Sequence, residues 1–350
     1  STVFTTQFDP LAYGTRMKIT FSGYSQPEVL TNFPAVVVFS TNLVNFTYAS
    51  FSAPNGGDLR FTASDGTTLL NHEIEKWDST GNSFIWVQVP ALSGPADYVW
   101  AYWNCTNSTI APIYTTNGAT WAGIYQGVWH LQGAQDSMVN RNTGIIRGGA
   151  TVGIDGQVDG AGSFNYLDGD DYLEPTNSVS LENVQEDDYS VSALFKPLSA
   201  PPGGGDQNTA NYGIVIKSGW HTGLHYASNR QFVVEHWLSG DIGKGVASSN
   251  IFATGVFHHV QSVVSKTAGT IGLYVNGTLE GSTTFPPGNP AREYGQTTWK
   301  IGIAAPGAGF YRWAADGVID EARVETGARS PSWVWAYWRN QLYNSAFCAY

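Results

Sequence analysis

The chain has 350 residues, 40 of them glycine, with 14% aromatic and only 13% charged residues and a formal net charge of −11 at pH 7. So acidic a chain lacks the basic surface that displaces counterions from nucleic acid or an anionic membrane, which argues against both as partners. No run of about 18 apolar residues occurs, so no segment reads as a spanning helix, and the length favours two domains, each able to bury its own core.

In chain order, the start Ser1-Thr2-Val3-Phe4-Thr5-Thr6 is polar and uncharged. It does not read as a signal peptide, and the chain is expected to be the mature form of an exported protein. Residues 30–39, 55–70, 72–78 and 84–90 each show strand alternation, separated by Asn, Gly, Asp and Pro turns. The alternation over 257–264 and 271–282 predicts a β-hairpin. Asn276-Gly277 is the dipeptide that fits a tight type I′ hairpin turn. The one helical candidate is 330–343, where Pro331 suits a first turn and Trp333, Tyr337 and Leu342 could pack back onto the sheets.

The motifs Gly127-Val-Trp-His-Leu131, Asp168-Gly-Asp-Asp-Tyr-Leu173, Ile214-Val-Ile-Lys-Ser-Gly219, Phe257-His-His-Val260, Leu273-Tyr-Val-Asn-Gly277 and Gly317-Val-Ile-Asp-Glu-Ala-Arg-Val324 occur in this order. Together, over about 127–343, they resemble the laminin G-like branch of the concanavalin A-like lectin/glucanase superfamily. That resemblance implies a two-sheet β jelly roll, used mostly outside cells to hold carbohydrate or protein ligands. Residues 136–144 depart from it, standing where the family has a shorter turn. The earlier strands, from about 14 to 123, resemble a domain of unknown function that often precedes laminin G-like domains in secreted proteins, and predict an antiparallel sandwich. The expected fold is therefore all-β, with a sandwich over 1–126 and a jelly roll over 127–350.

Glucanases of this superfamily carry paired carboxylates in a pattern like E-x-D-x-x-E, which is absent here. Glu73 and Glu75 do share a strand face, but beside Lys76 they read as a solvated face. A second cluster falls on consecutive predicted strands: Trp220, His221, His225, Tyr226, Glu235 and Trp237, with Lys217 and His236 among them. Its tryptophans, with Trp299 or Trp313, could stack on sugar rings while His and Glu bind hydroxyls. A histidine beside a carboxylate could equally serve acid/base chemistry, or the cluster could be incidental. His258 and His259 are adjacent and point to opposite faces, so they cannot act on one ligand. No nucleophile elbow, His-Glu-x-x-His or phosphate loop is present.

The resemblance also implies a calcium site at the sandwich rim. Asp168, Asp170 and Asp171, approached by Asp320, would supply the oxygen ligands that Ca²⁺ takes, and solvated turns are the plainer reading. Cys105 and Cys348 could form a disulfide worth about 4 to 5 kcal/mol in the chain-entropy model, or remain two buried thiols. Asn45, Asn104, Asn107 and Asn276 head N-glycosylation sequons.

The expected function is a secreted, non-enzymatic recognition protein that binds polysaccharide or glycoprotein through the jelly roll. A rival is a structural subunit of an extracellular filament, sheath or surface layer, with residues 1–10 adding a strand to a neighbouring copy. A third is a polysaccharide hydrolase or lyase using the Glu235 and His225 region.

Overall fold

The structure is a computed structural model that describes residues 8–121, 123–165, 167, 171–176, 178–202, 211–217, 222–292, 298–304 and 314–350. The chain divides into two compact units, Ser1–Trp121 together with Arg339–Tyr350, and Ala122–Trp338. The first carries β1 (Thr15–Thr20), β2 (Leu30–Ser40), β3 (Arg60–Thr62), β4 (Leu69–Leu70), β5 (His72–Lys76), β6 (Asn82–Leu92) and β7 (Tyr98–Trp103). Among the described residues these form two antiparallel sheets, in the orders β1-β7-β3-β4 and β2-β6-β5. Phe39 of β2 closes the sandwich against Phe61 of β3 and Trp103 of β7, with ring centroids 6.4 and 6.2 Å apart. Phe8, at the edge of the expected strand-adding segment, packs on Tyr13 and Tyr102 instead. Residues 1–7 of that segment lie outside the described residues.

The C-terminal residues group with this first unit, where the sequence placed them with the jelly roll. Thr20 exchanges both backbone hydrogen bonds with Ala349 at 2.8 Å. The Asn340 side chain accepts from Val36 N at 2.7 Å and donates to Val36 O at 3.0 Å. This arrangement corrects the expected disulfide: Cys105 and Cys348 are free and buried. Cys348 adjoins the residue paired with Thr20, whereas Cys105 follows Asn104, whose carbonyl accepts from Gly14 N just before the other end of β1. Six residues of extended chain separate them by roughly 20 Å, and a disulfide needs Cα atoms within about 7 Å. Burial pushes the Cys348 thiol up to about 12, so it is inert as a nucleophile.

The second unit holds β8 (Tyr125–Trp129), β9 (Gly144–Arg147), β10 (Thr151–Asp155), β11 (Gly160–Phe164), β12 (Tyr172–Pro175), β13 (Tyr189–Pro197), β14 (Asn211–Lys217) and β15 (Thr222–Ala227). These are followed by β16 (Phe232–Leu238), β17 (Ile242–Ala247), β18 (His258–Ser265), β19 (Thr270–Val275), β20 (Thr278–Thr284), β21 (Trp299–Ile301) and β22 (Gly317–Thr326). One sheet runs β10-β11-β22-β13-β18-β19-β20, with β8 also on β22, and the other runs β17-β16-β15-β14-β21-β12-β9. Inward residues of both sheets, such as Val191 and Ala193 on one and Val215 and Leu224 on the other, fill a single core. Between β19 and β20, Asn276 and Gly277 have φ of +49° and +75°, the two positive values a type I′ turn requires. The helix Pro331–Leu342 sets Tyr337 under the Arg323 guanidinium, 4.8 Å from its ring, with Trp333 alongside.

Loops in both units close on buried carboxylates. In the second, Asp136 accepts from Val128, Met138 and Asn142 N–H at 2.8–3.0 Å, which gathers the long 136–144 loop onto its own first residue. In the first, Asp58 is fully buried and accepts from four backbone N–H groups, those of Ser52, Ala53, Asn104 and Cys105. Asp58→Ala would strand two buried donors, those of Ala53 and Cys105, each costing about 1 kcal/mol or more, and two part-buried ones, those of Ser52 and Asn104. Urea unfolding should show a loss of at least about 3 kcal/mol, with Asp58→Asn losing less. A loss below about 1 kcal/mol in the alanine variant would contradict this role.

Candidate functional site

Strand β16 alternates strictly. Phe232, Val234, His236 and Leu238 are buried, while Val233, Glu235 and Trp237 are half-buried on the opposite, outer face of the sheet. The neighbours of these outer residues are small: Trp237 pairs with Gly243 of β17, and Glu235 lies between Gly223 of β15 and Gly245 of β17. A Cβ at Gly243 would come within 3.0 Å of the Trp237 ring and one at Gly245 within 3.2 Å of Glu235 Cγ. The indole therefore lies against a strip of bare backbone at the sheet edge. Its Nε1–H points at Glu235 Oε2, 3.4 Å away. On the side of β16 away from β17, Ala291 bridges to Leu238 and Arg292 N–H donates to Trp237 O at 2.9 Å. This places the Arg292 guanidinium 5.9 Å from the indole ring and 3.0 Å from the Asp241 carboxylate. An apolar ring flanked by two carboxylates and a guanidinium offers one stacking surface with donors and acceptors around it.

Of the residues the sequence grouped here, Glu235 and Trp237 come together on this face. Trp220 and His221, and also Trp313, lie outside the described residues. Tyr226 belongs to the core: its ring packs on Phe232 at 5.1 Å, its hydroxyl donates to Phe252 O at 2.9 Å, and burial pushes that hydroxyl up to about 12. His225 is fully buried opposite Val233, two positions along the strand from Glu235's partner Gly223. His236 faces inward to the Tyr189 hydroxyl at 3.1 Å, and burial lowers it to about 4. Lys217 donates to Leu181 O and Trp299 Nε1–H donates to the same carbonyl, each at 3.1 Å, so both are core fixtures. Asp241 and Arg292 were not found from sequence: Arg292 reaches Trp237 through the pairing of Ala291 with Leu238, and Asp241, in the turn between β16 and β17, joins the site through its ion pair with Arg292.

Glu73 and Glu75 share a face as expected, yet each accepts an indole N–H, from Trp121 at 2.5 Å and Trp86 at 2.6 Å respectively. His258 bonds Ala253 O at 2.9 Å, and His259 on the other face meets Tyr337. Among the sequons, Asn45, Asn104 and Asn107 are exposed. Asn276, expected to be exposed, is half-buried because its amide accepts from His259 N at 3.0 Å and faces His258 Nδ1 at 3.2 Å.

Of the four aspartates proposed for calcium, Asp168 and Asp170 lie outside the described residues. Asp171 accepts from Gly149 N at 2.5 Å and from Asn165 N, just after β11, at 3.2 Å. Asp320 accepts from Gln157 N at 2.8 Å and Val158 N at 3.0 Å, just before β11. The five residues of β11 span roughly 16 Å, so these two carboxylates cannot ligate one ion whose bonds are about 2.3–2.6 Å. Burial, reinforced by the neighbouring Glu321, pushes Asp320 up to about 8, which favours its protonated form at neutral pH.

Residues 167–334 match the family model for the concanavalin A-like lectin/glucanases superfamily, and residues 55–120 match that for a domain of unknown function, DUF2341. No curated protein sequence matches the chain. Among solved structures, the binding domain of Paraclostridial Mosquitocidal Protein 1 is similar at 12% identity and a TM-score of 0.47, over 62% of this chain and 52% of that one. The botulinum neurotoxin type G receptor-binding domain is similar at 10% identity and a TM-score of 0.44, over 63% and 52%. Domain 4 of AbnA, an extracellular GH43 arabinanase from Geobacillus stearothermophilus solved with arabinotriose, is similar at 19% identity and a TM-score of 0.39, over 61% and 97%. The matches thus span about half the length of the two toxin domains.

Asp320 carries a pH signature. Its ordinary value of 3.8 rises to about 8 on folding, so between these the folded state holds a proton that unfolding releases. Stability is then lost as pH rises through this window. Asp320→Asn removes the titration, so thermal unfolding from about pH 5 to about pH 8 should show a smaller drop in Tm for the variant than for the parent. Parallel curves would contradict a protonated Asp320.

Proposed function

We propose that this chain, which belongs to the concanavalin A-like lectin/glucanases superfamily through residues 167–334, is a recognition protein that binds the glycan of a polysaccharide or glycoprotein outside the cell. The contact is the outer face of the β17-β16-β15 sheet edge, with Trp237 as its anchor. The observation that carries this reading is the half-buried indole held flat on Gly243, with Glu235, Asp241 and Arg292 around it. A sugar ring has an apolar face edged by hydroxyls, and this arrangement meets both, one by stacking and the other by hydrogen bonds. Gly243 and Gly245 of β17 carry no side chain, which leaves the indole open on that flank. Three charged groups at the margin suit orientation rather than hydrolysis, since the histidine proposed as Glu235's partner is buried.

The test is a glycan array, followed by calorimetry on the best ligand. Trp237→Ala should weaken binding at least tenfold, about 1.4 kcal/mol or more, with Tm retained. Glu235→Gln should weaken it less, because the amide keeps an acceptor oxygen. Unchanged affinity in folded Trp237→Ala would remove this face from consideration.

A further inference from the structure

The first unit contains a cavity of about 500 Å³ that plays no part in the sheet-edge site, within the range of small-molecule pockets. It opens between the loop after β2 and the turn before β6. Its walls carry three hydroxyls, from Thr41, Thr47 and Ser79, and two aromatic rings, from Phe46 and Tyr48; no charged side chain is among the lining residues. Thr41, Thr47 and Ser79 are exposed, so their hydroxyls are open to a ligand. Thr47 Oγ1 accepts the Ala49 N–H at 3.3 Å, and its own O–H can still donate.

The walls are built to hold their shape. The Tyr48 hydroxyl donates to Phe39 O at 2.9 Å and lies 2.8 Å from Ser83 Oγ, which fixes the ring from its far end. Phe46 packs edge-on to Tyr48 at 4.9 Å and against Phe39 at 5.0 Å. Trp77 braces Tyr48 at 5.3 Å, and its Nε1–H donates to Pro54 O at 2.8 Å, holding the remaining wall in place. Ligand sites gain affinity when ordering costs are met in advance, and this one is already ordered.

Rings with unspent hydroxyls and no charge select a ligand that is itself hydroxylated, uncharged and apolar on one face. We propose that this cavity holds a single neutral sugar unit, making the first unit a carbohydrate-binding module in its own right. An acidic sugar is disfavoured, because its carboxylate would enter a site without a cation. An apolar molecule is disfavoured because it would leave three hydroxyls unanswered.

The experiment uses the full chain carrying Trp237→Ala, so that the sheet-edge site is silenced and the two readings succeed or fail separately. Saturation-transfer NMR is run with methyl glycosides of glucose, galactose, mannose, arabinose, xylose and N-acetylglucosamine, with the methyl glycoside of galacturonic acid, its carboxylate free, and cyclohexanol as controls. Transfer is expected to at least one neutral glycoside and to neither control. Ala49→Trp, at an exposed lining position, should fill the cavity and abolish that transfer while Tm is kept. If that variant unfolds, Thr41→Ala with Ser79→Ala serves instead and should reduce transfer several-fold. No transfer to any neutral glycoside, transfer to cyclohexanol alone, or transfer that survives both folded variants would overturn the proposal.

Discussion

A chain built from short strands and long loops must bury backbone N–H groups that no sheet ladder reaches, and each one left unpaired costs about as much as a hydrogen bond can return. This protein meets the constraint with aspartates. Asp58 holds four donors from two separate loops, Asp136 holds two of its own loop and one from β8, and Asp171 and Asp320 each hold two at opposite ends of β11. With the loops fixed from inside, the outer strand faces need contribute little to stability. They are accordingly open to carry glycine strips and half-exposed rings, as the outer face of β16 and β17 does.

The two surfaces read as carbohydrate sites share a physical plan despite standing in different units. Each offers a ring immobilised from behind: Trp237 rests on Gly243, and Tyr48 is pinned through its hydroxyl to Phe39 and Ser83. Each adds polar groups at the margin rather than under the ring. They differ in charge, since Glu235, Asp241 and Arg292 edge one surface whereas hydroxyls alone edge the other. That difference predicts different sugar preferences rather than redundancy.

Much of the fold was legible because it is local. The Asn276-Gly277 turn, the alternation of 257–264 and 271–282 and the packing of Trp333 and Tyr337 depend on residues a few positions apart, where periodicity carries the signal. The same rule located half of the sheet-edge site, since Glu235 and Trp237 are two apart on one strand and must share a face. It also shows why His225 and Tyr226 could not both join them: adjacent residues diverge, and Tyr226 took the core. What sequence spacing could not reach was non-local. Arg292 arrives through one bridge to Leu238, Cys348 is drawn to β1 through Ala349, and Asp171 and Asp320, two of the four aspartates grouped for calcium, accept from backbone donors elsewhere in the chain.

Hydrogen–deuterium exchange on the intact chain tests the central claim most directly, comparing free protein with protein saturated by the polysaccharide that retards it most in a native affinity gel. Slowed exchange over 232–247 and around Arg292 is the expected footprint of a glycan lying across Trp237. Protection confined to other loops of the second unit, with residues 232–247 exchanging as in the free protein, would contradict recognition at this face.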